Sequence, residues 1–220
     1  MNLRPAVAIF VKTPGLSPLK TRLAATIGVH RATEFYRLAC DAITETLGSV
    51  AGEIDAYWAV AESEATEKGM WEDFPIVWQG DGELGNRLAK VYSELLAKHT
   101  AVLLIGADAP QLASTHIQET LKLLKERPYV IGRAQDGGFY LFGGRDPIAA
   151  NLWTSVTYSC SATSRQLEEK LSPKVAFLQE NLGDVDNQAA LHELARYLQT
   201  VPKNRAQVIL LNWCQNLRKS

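Results

Sequence analysis

The sequence is poor in cysteine and carries almost no net charge. Its three cysteines, Cys40, Cys160 and Cys214, are odd in number and far apart. They favour a reduced, cytoplasmic protein over a disulfide-stapled one, and no two of them have metal-ligand spacing. Lys and Arg total 23 against 24 Asp and Glu, which leaves a formal net charge of −1. This balance provides no field that would hold nucleic acid or an anionic membrane, so an anionic ligand needs a local site.

The sequence also lacks apolar runs long enough to cross a membrane. Ala101–Ala107, one of the longest, has only the length of a strand. The run Ala6–Val11 meets Lys12 and Pro14 without a small-residue cleavage site, which argues against a secretory signal. Hydrophobic residues make up 46% and charged residues 21%, an ordinary globular composition. We therefore expect residues 1–220 to form a single domain.

Short apolar runs alternate with segments of helical periodicity, which predicts parallel βαβ units and a doubly wound α/β sheet. The predicted strands cover residues 6–11, 54–60, 101–106, 129–132, 138–142 and 175–178. The predicted helices cover residues 29–48, 84–98, 114–125 (capped by Ser114 or Thr115), 162–171, 187–198 (capped by Asp186 or Asn187) and 206–217. Because such sheets bind ligands outside the carboxyl ends of their strands, the loops after the strands are the candidate sites.

The loop after the first strand, residues 12–22, is basic and stiff. Pro14 restricts the backbone, and Gly15 allows it to approach a ligand closely. Lys20 and Arg22 could then clamp a diphosphate, with Arg22 offering a forked set of donors. The alternative is an ordinary solvated basic loop.

The same loop has the spacing of a phosphate-binding P-loop but not its residues. Gly15 precedes Lys20 and Thr21 at the spacing of G-x-x-x-x-G-K-[ST]. However, Leu19 occupies the place of the second glycine, and Pro18 lacks an amide donor. We therefore reject a P-loop.

Carboxylates follow two later strands. Asp108 comes directly after the strand 101–106, where a carboxylate is suited to hold Mg²⁺ or Mn²⁺ against phosphate oxygens. Its alternative role is to cap a turn. The segment 184–187 contains Asp184 and Asp186, and we expect Asp186 to be the second metal ligand, with Asp184 as the alternative. Asp186 could equally cap the next helix, and the two roles can coexist.

Two glycine-rich turns complete the set of loops. Residues 135–139 contain Asp136, the best-placed general base, although Asp-Gly-Gly is also an ordinary hairpin turn. Residues 79–88 open a helix whose first-turn amides favour an anion or a nucleobase edge, with Arg87 within reach. Trp153 lies in a polar segment rich in Ser and Thr, where it could stack on a sugar.

These motifs together resemble a known family. The chain resembles the bacterial glycosyltransferase-like proteins related to arsenosugar-biosynthesis glycosyltransferases, and more distantly the nucleotidyltransferases that share the type A glycosyltransferase fold. The matching stretches occur in the family order, at Pro14–Leu23, Gly80–Leu88, Ile105–Leu112, Asp136–Gly144 and Asp184–Asn187.

The resemblance implies a Rossmann-like, three-layer nucleotide-diphospho-sugar transferase fold and a role for each motif. It implies a metal at Asp108, for which Asp186 is our second ligand. The expected catalytic residues are Lys20, Arg22, Asp108 and Asp136. The expected nucleotide and phosphate contacts are Pro14, Gly15, Lys20, Thr21, Arg22, Gly80, Gly82, Gly85 and Arg87. The expected substrate contacts are Gly137, Gly138, Phe139 and, from its own surroundings, Trp153.

Two departures from the pattern guide the functional expectation. Residues 108–110 carry one carboxylate where many glycosyltransferases have two, and the first loop lacks the Gly-Gly-x-x-x-Arg-Met style of classical nucleotidyltransferases. We therefore expect a Mg²⁺- or Mn²⁺-dependent transferase that uses a nucleotide-sugar and a small-molecule acceptor. The alternatives are a guanylyl- or cytidylyltransferase-like enzyme acting on an NTP, and a non-catalytic nucleotide-binding sensor. The last helix could dock on its own domain or on a second copy, as in a homodimer.

Overall fold

The computed structural model describes residues 3–67 and 71–217, which form one α/β domain around a single sheet. The strands are β1 (Ala6–Val11), β2 (Asp55–Val60), β3 (Ile76–Trp78), β4 (Val102–Gly106), β5 (Tyr129–Arg133), β6 (Phe139–Gly144) and β7 (Val175–Phe177). The helices are α1 (Thr21–Ile27), α2 (Val29–Gly48), α3 (Leu84–Leu96), α4 (Ser114–Glu126), α5 (Ala150–Thr154), α6 (Thr163–Leu171), α7 (Gln188–Thr200) and α8 (Arg205–Leu217), with a short 3-10 helix at Ser63–Glu67.

The sheet has the order β3-β2-β1-β4-β6-β5-β7 and is mostly parallel. Strand β1 pairs in parallel with β2 and β4, β2 with β3, and β5 with β7. Strand β6 runs antiparallel to both of its neighbours, β4 and β5. The carboxyl ends of the parallel strands and the amino end of β6 therefore lie at the same edge. This edge, which we call the carboxyl edge, gathers every loop that the sequence analysis singled out.

Both faces of the sheet are covered, as expected for parallel strands that are apolar throughout. On one face Val7 and Ile9 pack under α2 and α4, and on the other Ala6 and Ala8 pack under α3, α5 and α6. The result is the three-layer arrangement expected from the sequence.

A third apolar cluster joins α1, α2, α7 and α8 beside the sheet. Leu210 and Cys214 of α8 belong to it together with Phe35 of α2. The start of α8 is also tied to α2 by polar contacts, because Glu45 accepts hydrogen bonds from the main-chain N–H groups of Arg205 (3.0 Å) and Ala206 (2.6 Å). The last helix thus docks on its own domain, while a homodimer stays a prediction. Among the described residues, no helix has the length and apolarity needed to cross a membrane.

The sequence analysis missed several short elements. It did not predict β3, α1, α5 or the 3-10 helix, which are too short to show a period. It was also wrong about the N-terminus of α4, where Ala113 precedes the helix and donates its N–H to Nδ1 of His116 at 2.9 Å. Asn187 does cap α7, since its Oδ1 accepts the N–H of Ala190 at 2.9 Å.

Candidate functional site

The loop after β1 is folded tightly against its surroundings. The carbonyl of Thr13 accepts hydrogen bonds from the N–H groups of Leu16 (3.1 Å) and Ser17 (3.2 Å), a turn that Gly15 permits with its φ of 88°. The Thr13 N–H donates to Glu62 Oε2 at 2.9 Å. Burial alone would raise the pKa of Glu62, but hydrogen bonds from Ser17 and Thr13 outweigh it and hold the pKa below its usual value. Hydrogen bonds from within the protein thus fix the shape of this loop.

Lys20, at the end of this loop, directs its ammonium into the carboxyl edge. Its Nζ lies 2.6 Å from Asp108 Oδ1, 2.8 Å from the Val185 carbonyl oxygen and 3.4 Å from Asp186 Oδ1. Its side chain is only 4% exposed, and a lysine buried to that degree requires such partners. The Lys20 backbone adopts a left-handed conformation with a φ of 44°, which is energetically unfavourable for residues other than glycine. The fold thus holds this ammonium in place against local backbone preference.

Arg22 stands beside this centre but remains open to solvent. Its side chain is 82% exposed, and its guanidinium nitrogen lies 3.9 Å from Asp186 Oδ2. Thr21 is exposed as well, whereas Pro14 is half-buried. Because 82% of its side chain is exposed, Arg22 keeps most of its donors available for an incoming anion.

The two predicted metal ligands come from segments far apart in the sequence and lie close to the same Lys20 ammonium. Asp108 follows β4 and is 52% exposed, and Asp186 precedes α7 and is 49% exposed. The N–H of Val185 donates to the Asp108 carbonyl at 3.3 Å, which joins the two segments. Burial, followed by the carboxylates of Asp108 and Asp136, raises the pKa of Asp184 to about 7. The site is therefore strongly acidic, and Lys20 offsets only part of its charge.

This donor set fits a divalent cation that shares its coordination with a ligand. In the part of the chain that the structure describes, no group of three or more His, Cys, Asp or Glu residues is arranged to hold a metal. Mg²⁺, however, is commonly bound by one or two carboxylates together with substrate phosphates. Asp108 and Asp186 supply two carboxylates around a point already occupied by a positive charge, the Lys20 ammonium.

The turn between β5 and β6 brings Asp136 to the same edge. Its Oδ1 accepts the N–H of Gly138 at 2.8 Å, so the hairpin-turn role weighed in the sequence analysis is present. Gly137 has a φ of 89° and packs against the backbone of Ser161 so closely that a Cβ would not fit. Phe139 is half-buried and packs against the apolar layer under α3. Asp136 itself is exposed and remains available to a substrate.

The turn before α3 lies along the carboxyl edge on the α3 side of the sheet. Gly80 and Gly82 have φ values of 84° and 90°, and Arg87 Nε donates to the Gly82 carbonyl at 2.9 Å. Gly85 instead serves helix packing: it is buried, and a Cβ there would lie 2.8 Å from the Trp153 carbonyl oxygen. We therefore leave Gly85 out of the proposed ligand contacts.

The prediction that Trp153 stacks on a sugar is wrong for this structure. Its ring is fully buried in the apolar layer, with centroids 4.9 Å from Phe142 and 5.6 Å from Tyr92. The polar neighbours of Trp153 suggested an exposed segment. In the structure they lie on the outer face of the short helix α5, and the indole lies on its inner face.

Three supporting residues received no role of their own in the sequence analysis. Gln111 is buried and donates through Nε2 to the Gly183 carbonyl at 2.6 Å, linking the Asp108 loop to the 184–187 segment. Tyr36 of α2 bonds both the N–H and the carbonyl of Lys12 at 3.0 Å. Gln79 donates to carbonyls at the ends of β1 and β2. Gln111 lies within the quoted stretch Ile105–Leu112, which was a usable signal, whereas Tyr36 looks like any core residue of a helix.

Residues 47–160, just over half of the chain, match the family described as "Uncharacterized protein conserved in bacteria (DUF2064)". The chain belongs to this family. No curated protein matches.

Several solved structures share the fold. A candidate nucleotide-diphospho-sugar transferase from Desulfovibrio desulfuricans G20 is 23% identical, with a TM-score of 0.86 over 98% of this chain and 96% of that one. CMP:2-keto-3-deoxy-manno-octonic acid synthetase complexed with CTP is 13% identical, with a TM-score of 0.50 over 90% and 100%. Rv0371C from Mycobacterium tuberculosis H37Rv, in complex with manganese, is 15% identical, with a TM-score of 0.50 over 91% and 100%. At these identities the likeness establishes the nucleotide-diphospho-sugar transferase fold.

Proposed function

We propose that this protein is a divalent-metal-dependent transferase that uses a nucleotide-sugar donor and a small-molecule acceptor. The observation that carries the proposal is the convergence of Lys20, Asp108 and Asp186 at the carboxyl edge, with the Lys20 ammonium 2.6 Å from Asp108 and 3.4 Å from Asp186. Cations and paired carboxylates at this position are suited to a diphosphate bound through a metal ion.

The charges of the site match what the transfer of a sugar requires. The leaving group is a nucleoside diphosphate, and stabilising its growing negative charge calls for cations. A bound Mg²⁺ or Mn²⁺, held by Asp108 and Asp186, would neutralise the phosphate oxygens. Arg22 is exposed at the same edge and can bind the phosphates through its forked donors. Asp136 is exposed on the adjoining turn, where we place the acceptor and its proton.

A nucleotidyltransferase that acts on an NTP is the second candidate. The observation that favours it is the shared fold of a synthetase whose structure contains CTP. The same Lys20, Arg22 and Asp108 would then face the α-phosphate and the departing pyrophosphate. The first loop lacks the Gly-Gly-x-x-x-Arg-Met style of classical nucleotidyltransferases, which favours the nucleotide-sugar donor over an NTP. We further propose a relation to arsenosugar-biosynthesis glycosyltransferases and, from the few scattered cysteines, a cytoplasmic location.

A thermal-shift panel tests the proposal and identifies the nucleotide. UDP-, GDP-, ADP- and CDP-sugars and the four NTPs are added separately, each with Mg²⁺ or Mn²⁺ or with EDTA. A ligand at about 100 times its dissociation constant should stabilise the native state by roughly 2.7 kcal/mol. We expect one nucleotide-sugar to stabilise the protein in the presence of metal.

Two variants separate a site effect from a general one. Asp108→Asn should lose the metal-dependent shift, whereas Asp146→Asn, at the opposite edge of the sheet after β6, should keep it. Stabilisation by an NTP alone would promote the second candidate. If no nucleotide shifts the melting temperature of the wild-type protein with either metal, the proposed nucleotide site is contradicted.

A further inference from the structure

The buried position of Lys20 conflicts with its simplest assigned role. A lysine that binds phosphate should direct its ammonium outward, yet the Lys20 side chain is 4% exposed and its Nζ faces three oxygen atoms of the protein. These are Oδ1 of Asp108, the carbonyl oxygen of Val185 and Oδ1 of Asp186, at 2.6, 2.8 and 3.4 Å. We call these three atoms the oxygen cage.

The cage has the chemistry of a cation site of the hard, oxygen-ligand type. Two carboxylates and a main-chain carbonyl are the donors that Mg²⁺ and Mn²⁺ accept in proteins. Arg22 is exposed, lies 3.9 Å from Asp186 Oδ2 and does not enter the cage. The Lys20 ammonium is therefore the resident cation of this structure.

We propose that Lys20 and the divalent cation occupy the oxygen cage in turn, so that metal binding expels the Lys20 ammonium and frees it to bind the phosphates of the nucleotide. This exchange rests on the proposed function and assigns Lys20 two positions within it. In the metal-free protein Lys20 neutralises the carboxylates, and in the loaded protein it neutralises the substrate.

The surrounding geometry supports both positions. Lys20 ends the loop that begins at Lys12 and immediately precedes α1, where its left-handed backbone, with a φ of 44°, is held without glycine. A return to an ordinary backbone conformation relieves that strain once the ammonium leaves the cage. Thr21 and Arg22, the next two residues, are exposed at the same edge, so an expelled Lys20 would join cationic and hydroxyl groups already facing solvent.

The first test measures the affinity for Mn²⁺ alone, without nucleotide, from the electron paramagnetic resonance signal of free Mn²⁺. Lys20→Met removes the competitor for the three oxygen atoms and should tighten Mn²⁺ binding about tenfold, since the ion no longer has to displace a hydrogen-bonded ammonium from them. Lys12→Met is the matched control, because it removes the same charge from an exposed position of the same loop and should leave the affinity nearly unchanged. Affinity in Lys20→Met that equals or falls below the wild-type value overturns the exchange.

The second test uses the wild-type protein and does not depend on how the variants fold. Brief acetylation with acetic anhydride, read out by mass spectrometry, compares the reactivity of Lys20 with that of exposed Lys12. Without metal, Lys20 should react far more slowly than Lys12. With saturating Mg²⁺ its rate should rise toward that of Lys12, and inorganic pyrophosphate added with Mg²⁺ should protect it again. A Lys20 that stays protected when the metal is bound contradicts the proposal.

The outcomes keep this inference separate from the proposed function. If Asp108→Asn abolishes Mn²⁺ binding while Lys20→Met leaves it unchanged, the metal site stands and the exchange fails. If neither the wild-type protein nor Lys20→Met binds Mn²⁺, both the exchange and the metal-dependent function fail.

Discussion

At the scale of single residues, the cationic side chains of Lys20 and Arg22 differ in how deeply they are buried. Lys20 is enclosed by oxygen atoms, whereas Arg22 is 82% exposed and lies 3.9 Å from Asp186. The sequence places the two only two positions apart and cannot distinguish them. Their difference arises from segments distant in sequence, because Asp108 and the Val185 carbonyl enclose the Lys20 ammonium.

We predict that Arg22→Ala weakens binding of the nucleotide that responds in the thermal-shift panel by about 1.5 to 3 kcal/mol, the usual contribution of a hydrogen bond to a charged group. The free energy of unfolding should change little, because the side chain is exposed. Isothermal titration calorimetry and urea denaturation measure the two quantities. Arg31→Ala, an exposed arginine of α2, is the control and should bind normally. Wild-type affinity in Arg22→Ala would remove Arg22 from the phosphate site.

At the scale of elements, close packing between two helices explains a glycine that the sequence suggested for ligand binding. Gly85 of α3 lies against α5, where a Cβ would approach the Trp153 carbonyl oxygen to 2.8 Å. We predict that Gly85→Ala lowers the free energy of unfolding by about 1 to 3 kcal/mol through overpacking. Gly48→Ala is the matched control, since no atom lies within 4 Å of its added Cβ, and it should be neutral or slightly stabilising. Urea denaturation measures the free energy of unfolding of both variants. Equal values for Gly85→Ala and Gly48→Ala would contradict this account of Gly85.

A carboxylate links three further segments and makes part of the stability pH-dependent. Glu180, beyond β7, accepts hydrogen bonds from Tyr197 of α7 (2.6 Å) and pairs with His116 of α4 (2.9 Å). Burial alone would raise the pKa of Glu180, but these two partners outweigh it and hold the pKa below its usual value. The folded state therefore binds the proton less well than the unfolded chain does. This contribution is complete above the unfolded pKa and is lost as the pH falls through the folded one.

We predict that Glu180→Gln flattens the acid limb of the stability profile. Because the carboxylate is 44% exposed, its contribution should be at most about 1 kcal/mol. Urea denaturation at several pH values between neutral and mildly acid conditions measures it for the wild type and the variant. The two stabilities should converge at the lowest pH, and a constant difference across the series would show that the ionised carboxylate is not responsible.

The elements that the sequence predicted correctly are those with a strong period or a continuous apolar run. Residues 6–11 and 29–48 were predicted at their observed bounds because β1 is wholly apolar and α2 shows a regular buried stripe. Strand β3 has three residues and α5 has five, too few for either period to appear. The loops of the site could be located because they follow strands. The direction of each side chain could not, because burial of Trp153 and enclosure of Lys20 depend on segments distant in sequence.

At the scale of the whole molecule, three apolar clusters share elements around one sheet. Helix α2 contributes to the cluster under the sheet and to the cluster with α7 and α8, so these parts should not unfold independently. We predict a single calorimetric transition whose van't Hoff and calorimetric enthalpies agree. Two resolved transitions, with α7 and α8 lost first in hydrogen exchange, would show instead that the helical cluster is a separate folding unit.

The central claim is that Asp108 joins a metal ion and a nucleotide in one site. The most direct test titrates the responding nucleotide into the wild-type protein and into Asp108→Asn by calorimetry, each with Mg²⁺ and with EDTA. We predict that Mg²⁺ raises the affinity of the wild type and leaves that of Asp108→Asn nearly unchanged, because the protein itself holds the ion. Equal dependence on Mg²⁺ in both proteins would mean that the ion arrives only as part of the nucleotide, and would contradict the claim.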